Sequence, residues 1–570
     1  MKKLVLLMIV AMVTLSAHAG RKKFIGHSWD LLRLPPEVIA SNIDKLEQLP
    51  LDGISIKCTA KAPSGKSYSF NSAMVSPKWE RTWVEHLIPT LNKINGGRLK
   101  HNLITAFFAP QSRLRWNDDE RWAIIANNMG IIAWLAKTTG ARGILLDPED
   151  YPRTRQYTYN PTIDKGTYAE NAVLARRRGG QVMKAIAAEY PDAVVLSFWL
   201  ISMNPTLMNQ GVDASQAMEA QGNLWVPFIN GLLDEALPKM KLVDGCENAY
   251  RYDFESYDFI RTALLITRAF AYVVAPENRV KYCSQVQASF GLYLDMYVNK
   301  EGSSWYFPPY KGSRLKRLIG NFTQAMFACD EYCWVYGEKY NWVKWDYPAD
   351  FNVKKVSFAG RMSDTETWND ALPGIWRAME IIRDPQVAYM KIFKEKSAAG
   401  ALVNLVQNAN CLPAQANGAK DTAAKPFDWE SKGLPSGWSS WEMTPKGKFS
   451  IDTQLKIGES NSVRLEGVEQ GCAIVRTNVE PAGTYAVEVM AKGKNPSLSI
   501  RWQKDGAWRA HESDVMATFG PAGEDGWQVA RTIITVPENA NQLVMLLNGR
   551  LASGETVNYA KPAVYKIELE

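Results

Sequence analysis

Three carboxylates and a tyrosine leave one apolar run within five residues, in the segment Arg142-Gly143-Ile144-Leu145-Leu146-Asp147-Pro148-Glu149-Asp150-Tyr151. On an extended chain Asp147 and Glu149 share a face. Two carboxylates so close repel when both are ionised, and the repulsion drives one pKa upward. A carboxyl that keeps its proton near neutral pH suits general acid catalysis, above all protonation of a glycosidic oxygen. The expectation is Glu149 as general acid, with Asp147 beside it and Tyr151 on the substrate side.

Such chemistry needs a second carboxylate, at about 5 Å for a retaining enzyme and roughly 6.5–9.5 Å for an inverting one. Two candidates follow other apolar runs. Glu247 leaves Asp244-Gly245-Cys246 with Asn248 and Tyr250 beside it, and Glu338 follows Trp334-Val335-Tyr336-Gly337. Glu338 is preferred on its Gly-Glu terminus and aromatic flank; Glu247 stays open. Tyr293-Leu294-Asp295 ends a third run, while Asp330 and Glu331 begin one and read as structural. His27, Trp29 and Asp30 follow the first run, His27 being either a sugar ligand or a hydrogen-bonded structural residue. Flat aromatic faces stack on sugar rings, which makes Trp199, Trp342 and Trp345 candidate platforms and completes a binding set with Asn248, Tyr250, Asp295 and Tyr336.

The elements that must position these residues alternate. Short β-type runs at 23–26, 53–58, 103–108, 143–146, 193–199, 242–245, 286–294 and 331–336 are separated by helical patterns such as 120–138, 169–189, 257–274 and 313–328. Alternating strand and helix implies a parallel sheet covered by helices. Eight units imply an α/β fold of the (β/α)8 TIM barrel type, whose chemistry sits at the C-terminal ends of the strands. A doubly wound open sheet is disfavoured, because the first strand runs into His27-Ser28-Trp29-Asp30 and not into a glycine-rich phosphate turn. A helix at 374–383 would close the barrel, which is expected to span 20–397. Residues 398–426 read as a linker rich in Ala, Asn, Gln, Lys and Pro. From 427 to 570 short alternating strands imply an all-β jelly-roll sandwich, with Trp438, Trp441, Trp502, Trp508 and Trp527 divided between its core and a binding face.

The fourth run resembles the strand-four signature of chitinase-like barrels, an acidic ladder ending in Asp-x-Glu. Gly143, Asp147 and Glu149 match it, whereas Arg142 and Leu145 stand at the two earlier acidic positions. Over about ten residues the resemblance implies an acid role for Glu149 more than it implies an N-acetylhexosamine substrate. Gly437-Trp438-Ser439-Ser440-Trp441, Pro481-Ala482-Gly483-Thr484-Tyr485 and Gly526-Trp527 resemble the carbohydrate-binding sandwich modules appended to secreted carbohydrate enzymes, a resemblance covering about 140 residues.

Lys2 and Lys3, the apolar run 4–15 and Ser16-Ala17-His18-Ala19 form a secretory signal pattern over 1–19. A secreted or periplasmic protein is expected, with no membrane association after cleavage. The net charge of +7 over 570 residues carries no dense basic stripe, so nucleic acid is not an expected partner. Seven cysteines are an odd and sparse set, and the Cys329–Cys333 spacing exceeds that of a CxxC pair; neither metal nor cofactor is expected. The barrel region has no Gly-x-Ser-x-Gly elbow, and Gly65-Lys66-Ser67 lacks the preceding glycine of a phosphate loop. A glycoside hydrolase acting on a poly- or oligosaccharide is the leading reading. A non-catalytic glycan-binding surface protein and a different polysaccharide-active barrel enzyme are the alternatives, and the pattern leaves oligomeric state open.

Overall fold

The computed structural model describes residues 22–110, 112–150, 154–208, 213–349, 351, 362–413, 433–509 and 514–569. The expected leader 1–19, Tyr151 and residues 414–426 of the expected linker lie outside the described residues. The chain forms two compact units that divide between Arg383 and Asp384, so the helix Pro385–Ala398 counts with the second unit. No described helix is long and apolar enough to cross a membrane.

The first unit is mixed α/β, built on a nine-stranded, wholly parallel, curled sheet. Its strands are β1 (Lys23–Ser28), β2 (Gly53–Lys57), β3 (Leu103–Phe107), β4 (Gly143–Asp147), β5 (Val194–Ser197), β6 (Lys241–Asp244), β7 (Val286–Ala288), β8 (Gly291–Tyr293) and β9 (Tyr332–Gly337). They lie in the order β8-β9-β1-β2-β3-β4-β5-β6-β7. The expected seventh strand is thus two strands, at opposite ends of that order and separated in the chain by Ser289 and Phe290. The switch of partner is visible in the backbone: Ser289 N–H donates to the Asp244 carbonyl (2.9 Å), while the Phe290 carbonyl accepts from Trp334 N–H (3.1 Å). Gly291 permits it, since a Cβ there would sit 2.7 Å from the Trp334 ring and 2.8 Å from the Tyr250 ring.

Residues in parallel register point to the same side of a sheet, and alternate residues point to opposite sides. His27, Ser55, Thr105, Leu145, Leu196, Val243, Gln287 and Trp334 accordingly share the concave face. Its curvature is strong: Trp334 on β9 stacks on Phe198 beyond β5 at 4.5 Å and 12°, although four strands intervene in the sheet. At the N-terminal ends Glu331 bonds both Lys23 (2.8 Å) and Lys241. Burial opposes ionisation there, yet the hydrogen bonds from the two ammonium groups bring Glu331 down to about 2. The convex face carries Phe24, Ile54, Ile104, Ile144 and Val195, all buried, under the helices.

Helix α1 (Trp29–Arg33) follows β1 directly; α2 (Asp119–Thr138) and α3 (Tyr168–Glu189) flank β4. Asp118 caps α2 by accepting from Arg121 N–H (2.9 Å), and Thr167 with Glu170 forms a capping box on α3. The expected helix 257–274 ends as α4 (Asp258–Thr267) and continues as a 3-10 turn at Ala269–Tyr272. Then come α5 (Arg314–Ala328) and α6 (Ile375–Arg383).

The second unit is an antiparallel β-sandwich. One sheet orders Ser439–Glu442, Gly471–Asn478, Gln542–Gly549, Ser497–Lys504 and Ala507–Trp508; the other orders Lys448–Ile457, Ser460–Glu466, Thr556–Lys566, Thr484–Gly493 and Gln528–Thr535. Trp438, Trp502 and Trp527 are buried in it, while Trp441 and Trp508 are exposed. All seven cysteines are free thiols, and only Cys283 among them is exposed.

Candidate active site

The C-terminal ends of the strands gather the candidate carboxylates. Asp147 ends β4 on the concave face, in register with Phe107, and its Oδ1 accepts the Glu149 N–H (3.0 Å), which fixes the turn through Pro148. Burial first, then the charges of Glu149 and Glu247, push the Asp147 carboxyl well above the usual carboxylate range. Asp150 ties down the following loop, accepting from Thr154 Oγ1 and Tyr157 N–H (3.0 Å).

Glu247 owes its placement to the end of β6. Asp244 points to the convex side, wholly buried, and accepts from the N–H groups of Ile201 (2.9 Å), Ser202 (3.0 Å) and Cys246 (3.3 Å). Cys246 takes a left-handed conformation at φ 39°, an uncommon state for a non-glycine residue. Glu247 N–H then donates to the Phe198 carbonyl (3.1 Å). The half-buried Glu247 carboxyl is raised to about 8, by burial first and by the negative charge of Glu149 second.

Glu338 emerges from β9, half-buried. Tyr336 donates its hydroxyl proton to Glu338 Oε1 (3.1 Å), and Asp295 Oδ2 accepts the Glu338 N–H (2.9 Å). Burial raises Asp295 to about 7 against that hydrogen bond, and its other oxygen is buried without a partner among the described residues. Tyr336 stacks on Tyr250 (5.8 Å) and Tyr293 (5.5 Å), and those two rings meet tilted at 5.0 Å. Tyr336 lies within electrostatic reach of both Glu149 and Glu338, so β4, β6, β8 and β9 deliver to one mouth.

Other expected residues are placed differently. His27 is 2% exposed, wedged among Phe198, Trp334 and Tyr336, with Nδ1 2.8 Å from Ser55 Oγ. Burial lowers it to about 3, so it is a neutral, hydrogen-bonded ring in the floor of the site. Asp30 is wholly buried and accepts from Leu31 N–H, Trp342 N–H (2.9 Å) and Trp345 Nε1 (3.1 Å). Trp342 is 1% exposed and stacks on Trp376 at 5.5 Å. A covered indole has no face for a sugar, so Asp30 and Trp342 serve the core. Trp29 is half-buried beneath the Arg33 guanidinium, and Asn248 is exposed.

Trp199 stays half-open on a cleft of about 380 Å³ lined also by Pro148, Asp150, Asn204, Asn223 and Trp225, adjoining the Asp147–Glu149 turn. Among the described residues no cluster of three His, Cys, Asp or Glu could hold a metal ion. One functional candidate lies outside the sequence reading. Lys57 ends β2 on the concave face, and the same strand-end position that marks the carboxylates marks it too.

No known family matches the sequence, and no curated protein does. Solved structures with local similarity include a xylan-binding carbohydrate-binding module of family 22 from Paenibacillus barcinonensis (11% identity, covering 24% of this chain and 95% of that one, TM-score 0.19). They also include an arabinose-bound α-L-arabinofuranosidase (15% identity, 29% of this chain and 27% of that one, TM-score 0.19) and the enzymatically active domain of tailspike protein 4 from bacteriophage CBA120 (16% identity, 25% and 21%, TM-score 0.20). The chain spans about a quarter of the arabinofuranosidase and a fifth of the tailspike domain. These neighbours are a xylan-binding module, an arabinofuranosidase and an enzymatically active tailspike domain, and similarity at this level transfers no activity.

Proposed function

We propose that this protein is an exported glycoside hydrolase, secreted or periplasmic, acting on a poly- or oligosaccharide, with its curled sheet closed as a (β/α)8 barrel and its sandwich a jelly-roll glycan-binding module. Closure is supported by β7 and β8, which flank a two-residue break and occupy the two ends of the strand order. One observation carries the functional reading: the ends of β4 and β6 bring Glu149 and Glu247 to one mouth, where burial and the charge of Glu149 raise Glu247 to about 8.

That pairing reverses the role the sequence suggests for Glu149. Glu247 is the general acid that protonates the departing glycosidic oxygen. Glu149 is the carboxylate that meets the developing positive charge at the anomeric carbon, as nucleophile or as base for water. Asp147 orders Glu149 through its backbone N–H. Glu338, bonded by Tyr336, holds the sugar beside them, and Trp199 offers a stacking face in the adjoining cleft.

The test is hydrolysis of an oligosaccharide and aryl-glycoside panel by the wild type beside Glu149→Gln. Turnover by the wild type, lost in the variant with glycan binding intact, supports the reading. Binding without turnover in the wild type would instead make the chain a glycan-binding protein.

A further inference from the structure

The mouth also carries a cation that none of its carboxylates neutralises. Lys57 is the last residue of β2, two residues beyond Ser55, so both side chains leave the same face. Ser55 Oγ lies 2.8 Å from the His27 ring in the floor, which sets Lys57 one step nearer the opening. Lys57 as a residue is half-buried, and among the described residues no acceptor lies within hydrogen-bonding or ion-pairing reach of its ammonium. Burying an unpaired charge is costly, and a protein that retains one at a cleft commonly has a ligand of opposite sign to offer it.

Its neighbours deepen the case. The charged group acting on Lys57 is a second cation, Arg33 at the end of α1; burial first, then that like charge, pushes the ammonium below the ordinary lysine range. The Arg33 guanidinium sits over the Trp29 ring at 5.2 Å and within electrostatic reach of Tyr336, the residue that also senses Glu149 and Glu338. Thr105 is the register partner of Lys57 on β3 and points to the same face. Its Oγ1 is fully buried with no hydrogen-bond partner among the described residues. An ammonium and a hydroxyl, each without a hydrogen-bond partner among the described residues, therefore stand on the β2–β3 side of a mouth whose β4, β6 and β9 side is acidic.

We propose that Lys57, with the Thr105 hydroxyl beside it, forms an anion subsite that holds the carboxylate or ester sulfate of an acidic sugar. This rests on the glycosidase reading of the same mouth and names its substrate class: a glycan bearing an oxyanion on the residue bound next to the scissile bond. The acidic half of the mouth disfavours such a polymer except where Lys57 receives its charge, which fixes the register in which the chain lies.

The experiment measures binding by titration calorimetry on the full-length Glu149→Gln protein, so that no probe is consumed. The probes are an oligogalacturonide, a sulfated galacto-oligosaccharide and a neutral galacto-oligosaccharide, the first two distinguishing carboxylate from sulfate. At least one acidic probe is expected to bind about tenfold or more tightly than the neutral one. Lys57→Gln removes that advantage, Lys57→Arg keeps most of it, and added salt weakens it; thermal melting checks that each variant is folded. Equal affinity for all three probes, no binding of either acidic probe, or acidic binding unchanged by Lys57→Gln would overturn the subsite. Turnover by the wild type separates the two readings. Acidic probes held through Lys57 but never cleaved leave the subsite standing and remove the hydrolase, whereas cleavage without preference for charge does the reverse.

Discussion

Replacing Glu247 with Gln keeps the shape and hydrogen-bonding size of the side chain and removes the proton that the proposed mechanism transfers. General acid catalysis contributes typically about 10²- to 10⁴-fold, so kcat on alkyl or sugar leaving groups should fall by that factor. With a dinitrophenyl leaving group, which departs without protonation, the fall should shrink to a few-fold. In the wild type kcat/KM should decline above pH 8 as Glu247 ionises, and the variant should lack that limb. Stability follows the same group. Its folded pKa is raised, so the folded chain binds more protons than the unfolded one between pH 4.5 and about 8, and stability falls as pH rises through that window. At about 1.4 kcal/mol per pH unit the ceiling is a few kcal/mol, reduced because the side chain is only partly buried. Glu247→Gln should therefore melt a few degrees above the wild type at pH 8.5 and level with it near pH 4. Equal turnover of alkyl glycosides by variant and wild type, or a rate that stays flat through pH 8, would refute the assignment of the proton to Glu247.

Asp295→Asn should flatten the decline of melting temperature between pH 3.8 and about 7, because the raised carboxyl stabilises the fold when protonated and that contribution is lost through this range. Glu331 behaves oppositely: held down to about 2, it stabilises above pH 4.5 and the effect is lost as pH falls toward 2, so Glu331→Gln should melt lower than wild type at pH 7 and level with it at pH 2. Gly291→Ala places a Cβ 2.7 Å from the Trp334 ring and should cost about 1–3 kcal/mol in denaturant unfolding, with Trp fluorescence reporting displacement of Trp334; an unshifted midpoint would mean that the β7–β8 break tolerates a side chain.

Most of the sheet was legible because eight apolar runs alternate with capped helices, and such alternation leaves few topologies. The division of the seventh run into two strands is not legible in the sequence, since it depends on Gly291 passing beneath Trp334, a contact distant in sequence. The carboxylates were legible as strand-end residues; which one holds the proton was not, because that depends on how deeply Glu247 is buried beside Phe198 and Tyr250. Asp30 and Trp342 fit a rim by position along the chain, yet Asp30 folds inward as the acceptor for Trp342 and Trp345. The role of Lys57 is not legible for a simpler reason. A lysine at a strand end normally reaches water, and only the register with Thr105 and the shared face with Ser55 turn it into the mouth.

The central claim is that burial and the charge of Glu149 hold a proton on Glu247 at the mouth of the sheet. Difference infrared titration of the carboxyl band, assigned by its loss in Glu247→Gln, measures this directly. The account predicts a transition near pH 8 in the wild type that moves to lower pH in Glu149→Gln. A transition near 4.5, or one that Glu149→Gln leaves in place, would contradict it.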